Sequence, residues 1–141
     1  NKLKIQTIKH RSKTYANVKV KSDYLNEKII SVFKGPEFEF LDDREVNNLF
    51  NHEFTISKEN NRMAYQLDEL IVNTLSDIIT SLVLPGTIQL TPFGKVIILL
   101  RDCQTTGGYP RILQLSNVAI NVLAQKKAGD KIRFKLVEYP A

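Results

Sequence analysis

The residues best equipped for chemistry fall in one stretch, Asp102-Cys103-Gln104-Thr105-Thr106-Gly107-Gly108-Tyr109-Pro110. Asp102 can orient a substrate N–H or, if partly buried, take a proton as a general base. Gln104 brings an amide, Tyr109 a phenol, and Thr105 and Thr106 hydroxyls that donate or accept. Successive backbone N–H groups at Gly107-Gly108 can cradle an anion or a developing oxyanion. The same letters also fit an ordinary Gly-Gly turn with polar decoration. Two more side chains qualify. Arg62, just after Asn61, offers a planar fork for a carboxylate or phosphate, or forms a surface salt bridge. Gln89, in Thr87-Ile88-Gln89-Leu90, either points inward to orient an amide or carboxylate or faces water. Cys103 abuts an apolar run with no base beside it in sequence, which reads as a small filler rather than a nucleophile.

Strands must hold that stretch. Val96-Ile97-Ile98-Leu99-Leu100 leads into it, and Ile112, Leu113 and Leu115 lead out. Thr87–Leu90, the turn Thr91-Pro92-Phe93-Gly94 and Lys95–Arg101 read as a β-hairpin. Further strands are expected at Leu3–Ile8, around Val18 and Val20, and around Ile30 and Val32, the last stopping at Gly35-Pro36. Phe38 and Phe40, alternating with Glu37 and Glu39, predict a short extended piece. Phe54 with Ile56, then Met63, Tyr65 and Leu67, and finally Ile132, Phe134 and Leu136 complete the alternating set. Asp42 or Asp43 can cap a helix whose inner face is Val46, Leu49 and Phe50. Ser116 can cap a second over 117–125, with Val118, Val122 and Leu123 inward. Many short strands, two short helices and no regular strand–helix alternation predict a mainly β protein, an antiparallel barrel or sandwich with two peripheral helices.

With 141 residues the chain suits one domain. The longest apolar run, Val96–Leu100, is far short of the ~20 residues of a membrane helix. One cysteine permits no internal disulfide and fits a reducing compartment. His10 and His52 lie far apart without metal-ligand spacing, so no metal is expected. Residues 1–34 hold nine Lys/Arg against two acids, while 35–141 are nearly balanced. That basic arm fits solvated edge strands, where lysine discourages edge pairing, better than a nucleic-acid contact, since no aromatic ladder accompanies it. No phosphate-binding loop, dinucleotide fingerprint or nucleophile elbow is present. The first residue is not Met, which is expected of a piece of a longer protein and equally of processing or tag removal.

Taken together, the motifs resemble those of the allophanate hydrolase subunit 2 family, which includes KipA-like proteins and whose bacterial members are mostly named as the C subunit of 5-oxoprolinase. The resemblance rests on Asp102-x-Gln104-Thr105-Thr106-Gly107-Gly108-Tyr109-Pro110, Gly35-Pro36-Glu37, Asn61-Arg62-Met63-Ala64-Tyr65-Gln66-Leu67, Gly86-Thr87-Ile88-Gln89 followed by Pro92 and Gly94, and Ala124-Gln125 with Gly129-Asp130 and Phe134. These stand in the family's order across roughly residues 30–139. Ala64 and Gln66 depart from the usual glycine and arginine, which weakens any anion site that needs a second guanidinium. Cys103 stands where a polar or basic residue is common.

The resemblance implies a cyclophilin-like antiparallel β-barrel over 1–141, with 1–34 a basic N-terminal segment and 35–141 the family-like body. It also implies the C-terminal half of a longer protein. The implied activity is that of the C subunit of a cytoplasmic, ATP-dependent 5-oxoprolinase, an amide-bond hydrolase opening 5-oxoproline to glutamate. Its partners would be a KipI-like B subunit, the A subunit, and the remainder of the same protein. ATP would be used by the complex, with no cofactor motif in this chain and no activity expected of the isolated piece. Related domains suggest two alternatives: carboxyl transfer from biotin to urea or a similar amide, and a non-catalytic module pairing with a KipI-like protein. On this reading Asp102, Gln104 and Thr105 are expected to be catalytic. Arg62, Gln89, Gly107, Gly108 and Tyr109 are expected to bind substrate, all eight lining one concave site.

Overall fold

The structure, a computed structural model, describes residues 23–138. The strands expected at Leu3–Ile8 and around Val18 and Val20 lie outside these residues. Nine strands are described: β1 (Ile29–Lys34), β2 (Phe54–Thr55), β3 (Ala64–Leu70), β4 (Ser81–Leu82), β5 (Thr87–Leu90), β6 (Lys95–Leu99), β7 (Thr106–Gly107), β8 (Arg111–Leu115) and β9 (Lys131–Leu136). The helices are a single turn, α1 (Asp23–Asn26), and the two expected ones, α2 (Asp43–Asn51) and α3 (Asn117–Leu123).

Seven strands form one sheet in the order β2-β9-β1-β8-β5-β6-β3. All its pairings are antiparallel except β1 with β9, so the barrel is mixed. The two edges of the sheet meet. Ile56, just past β2, bridges to Leu67 of β3, and Ser57 N–H donates to the Gln66 carbonyl at 2.9 Å. Glu69 of β3 tightens this seam by accepting from the Thr55 backbone N–H (2.6 Å) and hydroxyl (2.7 Å). The result is a nearly closed barrel, which removes most of the exposed edge that an open sheet would present.

Alternation in β1 and β9, and continuous burial in β5, decide what fills it. Ile30, Val32, Phe54, Leu67, Ile88, Ile98, Leu113 and Ile132 are wholly inaccessible to solvent. Each such side chain contributes about 1.5–3 kcal/mol relative to exposure. Helix α2 is capped by Asp42, which accepts from Glu45 N–H while Glu45 accepts from Asp42 N–H, both at 2.7 Å. The second Glu45 oxygen takes the Thr74 N–H at 2.8 Å and so pins the irregular stretch after β3 to the helix. Ser116 caps α3 as expected, its hydroxyl accepting from Ala119 N–H.

Two local expectations are overturned. Phe38–Phe40 is a 3-10 turn rather than an extended piece, closed by Phe38 N–H to Gly35 O and Phe40 N–H to Glu37 O. It buries Phe38 and leaves Phe40 mostly exposed. Val118 faces solvent, because α3 turns Ala119, Ile120, Val122 and Leu123 toward the core against β1 and β8.

Candidate functional site

The segment leaving β6 turns at once. Leu100 N–H donates to Met63 O, Cys103 N–H to Leu100 O, and Asp102 N–H reaches Arg62 O at 3.4 Å. This sets Asp102 beside Arg62, with Arg62 Nε 3.4 Å from Asp102 Oδ2 and side chains 92% and 53% exposed. Both line a shallow groove of about 410 Å³ whose floor includes Tyr65, Leu100 and Ile120. Tyr65 is anchored there by donating its hydroxyl to the Lys126 carbonyl.

Beyond the turn the segment becomes structure rather than loop. Thr106–Gly107 forms β7 and pairs antiparallel with Ser81–Leu82 of β4, with Val83 N–H donating to Thr105 O and Ile78 N–H to Gly108 O. Gly107 and Gly108 do not adopt positive φ, unlike Gly86, Gly94 and Gly129, so a left-handed turn is not why glycine stands there. Close approach favours Gly107: a Cβ would lie 2.6 Å from Gln89 Nε2 and would force that amide to shift. Gln89 is inward-facing and 1% exposed, and its Nε2 donates to the Tyr109 carbonyl at 3.3 Å. Gln89, Gln104, Gly107, Gly108 and Tyr109 surround a second cavity of about 460 Å³, with Asp77 and Ile78 completing it.

The eight residues expected to share one concavity are thus distributed. Arg62 and Asp102 line the first groove and five others the second, with no lining residue in common, while Thr105 lines neither and is exposed. The physical reason is the turn at Leu100–Cys103 followed by the β4–β7 ribbon, which carry Asp102 and Gly107 to separate places.

Glu37 and Arg111 form an ion pair that the sequence reading did not find. Arg111 donates from Nε (2.9 Å), Nη2 (2.6 Å) and its backbone N–H (2.9 Å) to the Glu37 carboxylate, and from Nη1 to Leu82 O at 2.8 Å. The side chains are only 18% and 12% exposed. The hydrogen bond from Arg111 lowers the Glu37 pKa despite burial, and the same bond raises that of Arg111. Gly35 lies so close to the Arg111 carbonyl that a Cβ would clash with it. The pair ties the 3-10 turn, β8 and β4 together. The only sequence signal was Gly35-Pro36-Glu37 itself. Asp77, exposed in an irregular stretch, gave none. Burial pushes the Cys103 thiol up in pKa, away from the thiolate that nucleophilic chemistry needs. Among the described residues no three His, Cys, Asp or Glu side chains converge as a metal site would require, and no helix is long and apolar enough to cross a membrane.

Comparison with known proteins places this geometry. Residues 1–136 match the family model "Carboxyltransferase domain, subdomain A and B", so the likeness extends back through the basic N-terminal segment. The 5-oxoprolinase C subunit of Escherichia coli K12 is 34% identical over 107 residues, covering 74% of this chain and 34% of that protein. The Haemophilus influenzae protein of the same name is 28% identical over 111 residues, covering 77% and 36%. The aligned part of the chain spans about a third of the length of these curated relatives. Among solved structures, the Kluyveromyces lactis urea amidolyase superposes with a TM-score of 0.72 at 19% identity, covering 78% of this chain and 7% of that one. TTHA0988 superposes at 0.64 with 20% identity, covering 76% and 21%. These two likenesses concern the fold. The sequence match over nearly the whole chain settles the family: the chain belongs to the carboxyltransferase domain, subdomain A and B, family.

Proposed function

We propose that the chain is part of the C subunit of an ATP-dependent 5-oxoprolinase and helps open 5-oxoproline to glutamate in the cytoplasm, in complex with the A subunit, together with a KipI-like B subunit. The observation that carries this reading is the 34% identity to the E. coli C subunit over three quarters of the chain. In the reaction water adds to the lactam carbonyl and the ring C–N bond breaks, with ATP hydrolysed by the complex. Gln89, Gln104, Gly107, Gly108 and Tyr109 are the substrate-binding surface in this reading, because they surround one small concavity. Asp102 and Thr105 remain catalytic candidates on the same segment but outside that cavity, and Arg62 with Asp102 offers a second polar groove for the rest of the protein or a partner subunit to complete.

The test is 5-oxoproline-dependent ATP hydrolysis by the full-length protein assembled with its A and B partners. Turnover that disappears when this subunit is omitted supports the reading; turnover unaffected by its omission sinks it. The carboxyltransferase name of the matching family favours one alternative, transfer from carboxybiotin to urea or a similar amide. That alternative requires activity that avidin abolishes.

A further inference from the structure

The second cavity contains a hydrogen-bonding atom that the fold leaves unused. Gln89 is held in β5 between β6, where it faces Ile97, and β8, where it faces Arg111. Its Nε2 is committed to the Tyr109 carbonyl and lies against Gly107. That bond fixes which end of the carboxamide is oxygen. Oε1 accepts from no donor among the described residues, although the residue is only 1% exposed. No fully enclosed side-chain nitrogen or oxygen in the described structure lacks a partner, so Oε1 opens into the cavity that Gln89 lines rather than into packed protein. A nearly buried acceptor without a donor is costly, and a site built around one selects ligands that bring the donor.

The charge around it is equally selective. Among the described residues the lining holds Asp77 and no lysine or arginine. A ligand carboxylate placed there would meet a like charge with no cation among these described residues to offset it.

We infer that this cavity recognises a neutral amide or lactam through an N–H donated to Gln89 Oε1, with any carboxylate of the ligand kept outside. The inference rests on the proposed function only in taking this cavity as the substrate's. For 5-oxoproline it means that the ring N–H enters and the carboxylate points away from Asp77. A cation for that carboxylate then has to come from outside the described lining of this cavity.

The experiment is ligand-observed NMR titration of the full-length protein, without ATP or partner subunits, using 2-pyrrolidinone, N-methyl-2-pyrrolidinone and propionate. The expected result is that 2-pyrrolidinone binds, the N-methyl analogue binds at least about tenfold more weakly, and propionate does not displace the lactam. Gln89→Met, which keeps bulk and removes the acceptor, is expected to lower 2-pyrrolidinone affinity by a similar factor. N-methyl-2-pyrrolidinone binding as tightly as 2-pyrrolidinone overturns the inference, as does displacement by propionate. Both results come from the unmodified protein and so do not depend on the variant folding. Discrimination against the N-methyl analogue without 5-oxoproline turnover in the complex would remove the proposed function and leave this inference standing. Turnover without discrimination would do the reverse.

Discussion

Two arginine–carboxylate pairs flank the same segment and behave oppositely. Arg111 and Glu37 are mostly buried and joined by three hydrogen bonds, with a fourth from Arg111 to Leu82 O. The side chains of Arg62 and Asp102 touch once, at 3.4 Å, with the guanidinium almost wholly in water. The residue types are the same, and burial with donor count separates their roles. The first pair spends its hydrogen bonds on holding the 3-10 turn, β8 and β4 in register. Among the described residues, the guanidinium of the second keeps most of its donors free. A pair of the first kind is architecture around a site, and one of the second kind is available to it.

The largest expected effect lies in the buried pair. Arg111→Met strands the Glu37 carboxylate in a site built for a cation and should cost about 3–5 kcal/mol of unfolding free energy in denaturant titration. Replacing both partners with apolar residues should recover most of that loss. If the single and double variants are both as stable as wild type, the architectural role is wrong. Gly35→Ala should come next, at about 1–3 kcal/mol, because its Cβ collides with the Arg111 backbone carbonyl, which cannot move aside as a flexible side chain would.

Acid should dissolve the same pair more gently. The Arg111 hydrogen bond holds Glu37 below its ordinary pKa of 4.5 in the folded state. Its stabilisation is therefore complete above that unfolded value and is lost as pH falls through the lower folded value. The stability difference between wild type and Glu37→Gln should shrink as pH is lowered from neutrality through the region below 4.5, measured by urea unfolding at each pH. A difference constant across that range would mean that the carboxylate charge contributes nothing.

How much of this was legible in the sequence follows the reach of each interaction. Alternation exposed β1 and β9, because period-2 burial is local, while apolar runs bounded by turn residues exposed β8 and the β5–β6 hairpin. The caps Asp42 and Ser116 were legible for the same reason. Phe38–Phe40 was not, since two alternating aromatics fit a 3-10 turn as well, and what accompanies the turn is a bond that Glu37 accepts from Arg111, 74 positions away. The chemistry of residues 102–110 was visible residue by residue. Its division between two concavities was not, because it depends on a two-residue pairing of β7 with β4 that carries no periodicity. Gln89 shows the limit most clearly. Its position in a strand was evident, but whether its amide faced water or the interior depended on neighbours in β6 and β8.

The smallest expected effect on stability is the most informative about function. Arg62→Ala removes a side chain that is 92% exposed and meets one carboxylate at 3.4 Å. Exposed pairs of this kind contribute about 0–1 kcal/mol, so unfolding free energy should change by less than about 0.5 kcal/mol. That near-silence makes the variant a clean probe. In the assembled complex, a tenfold or greater loss of 5-oxoproline-dependent ATP hydrolysis would then report a lost contact with substrate or partner rather than a damaged barrel. Arg62→Lys keeps the charge and loses the planar fork, so partial rescue would indicate simple charge attraction and no rescue would indicate bidentate recognition. A destabilisation as large as that of Arg111→Met would overturn the contrast between the two pairs. Unchanged turnover in Arg62→Ala would restrict the site to the cavity around Gln89.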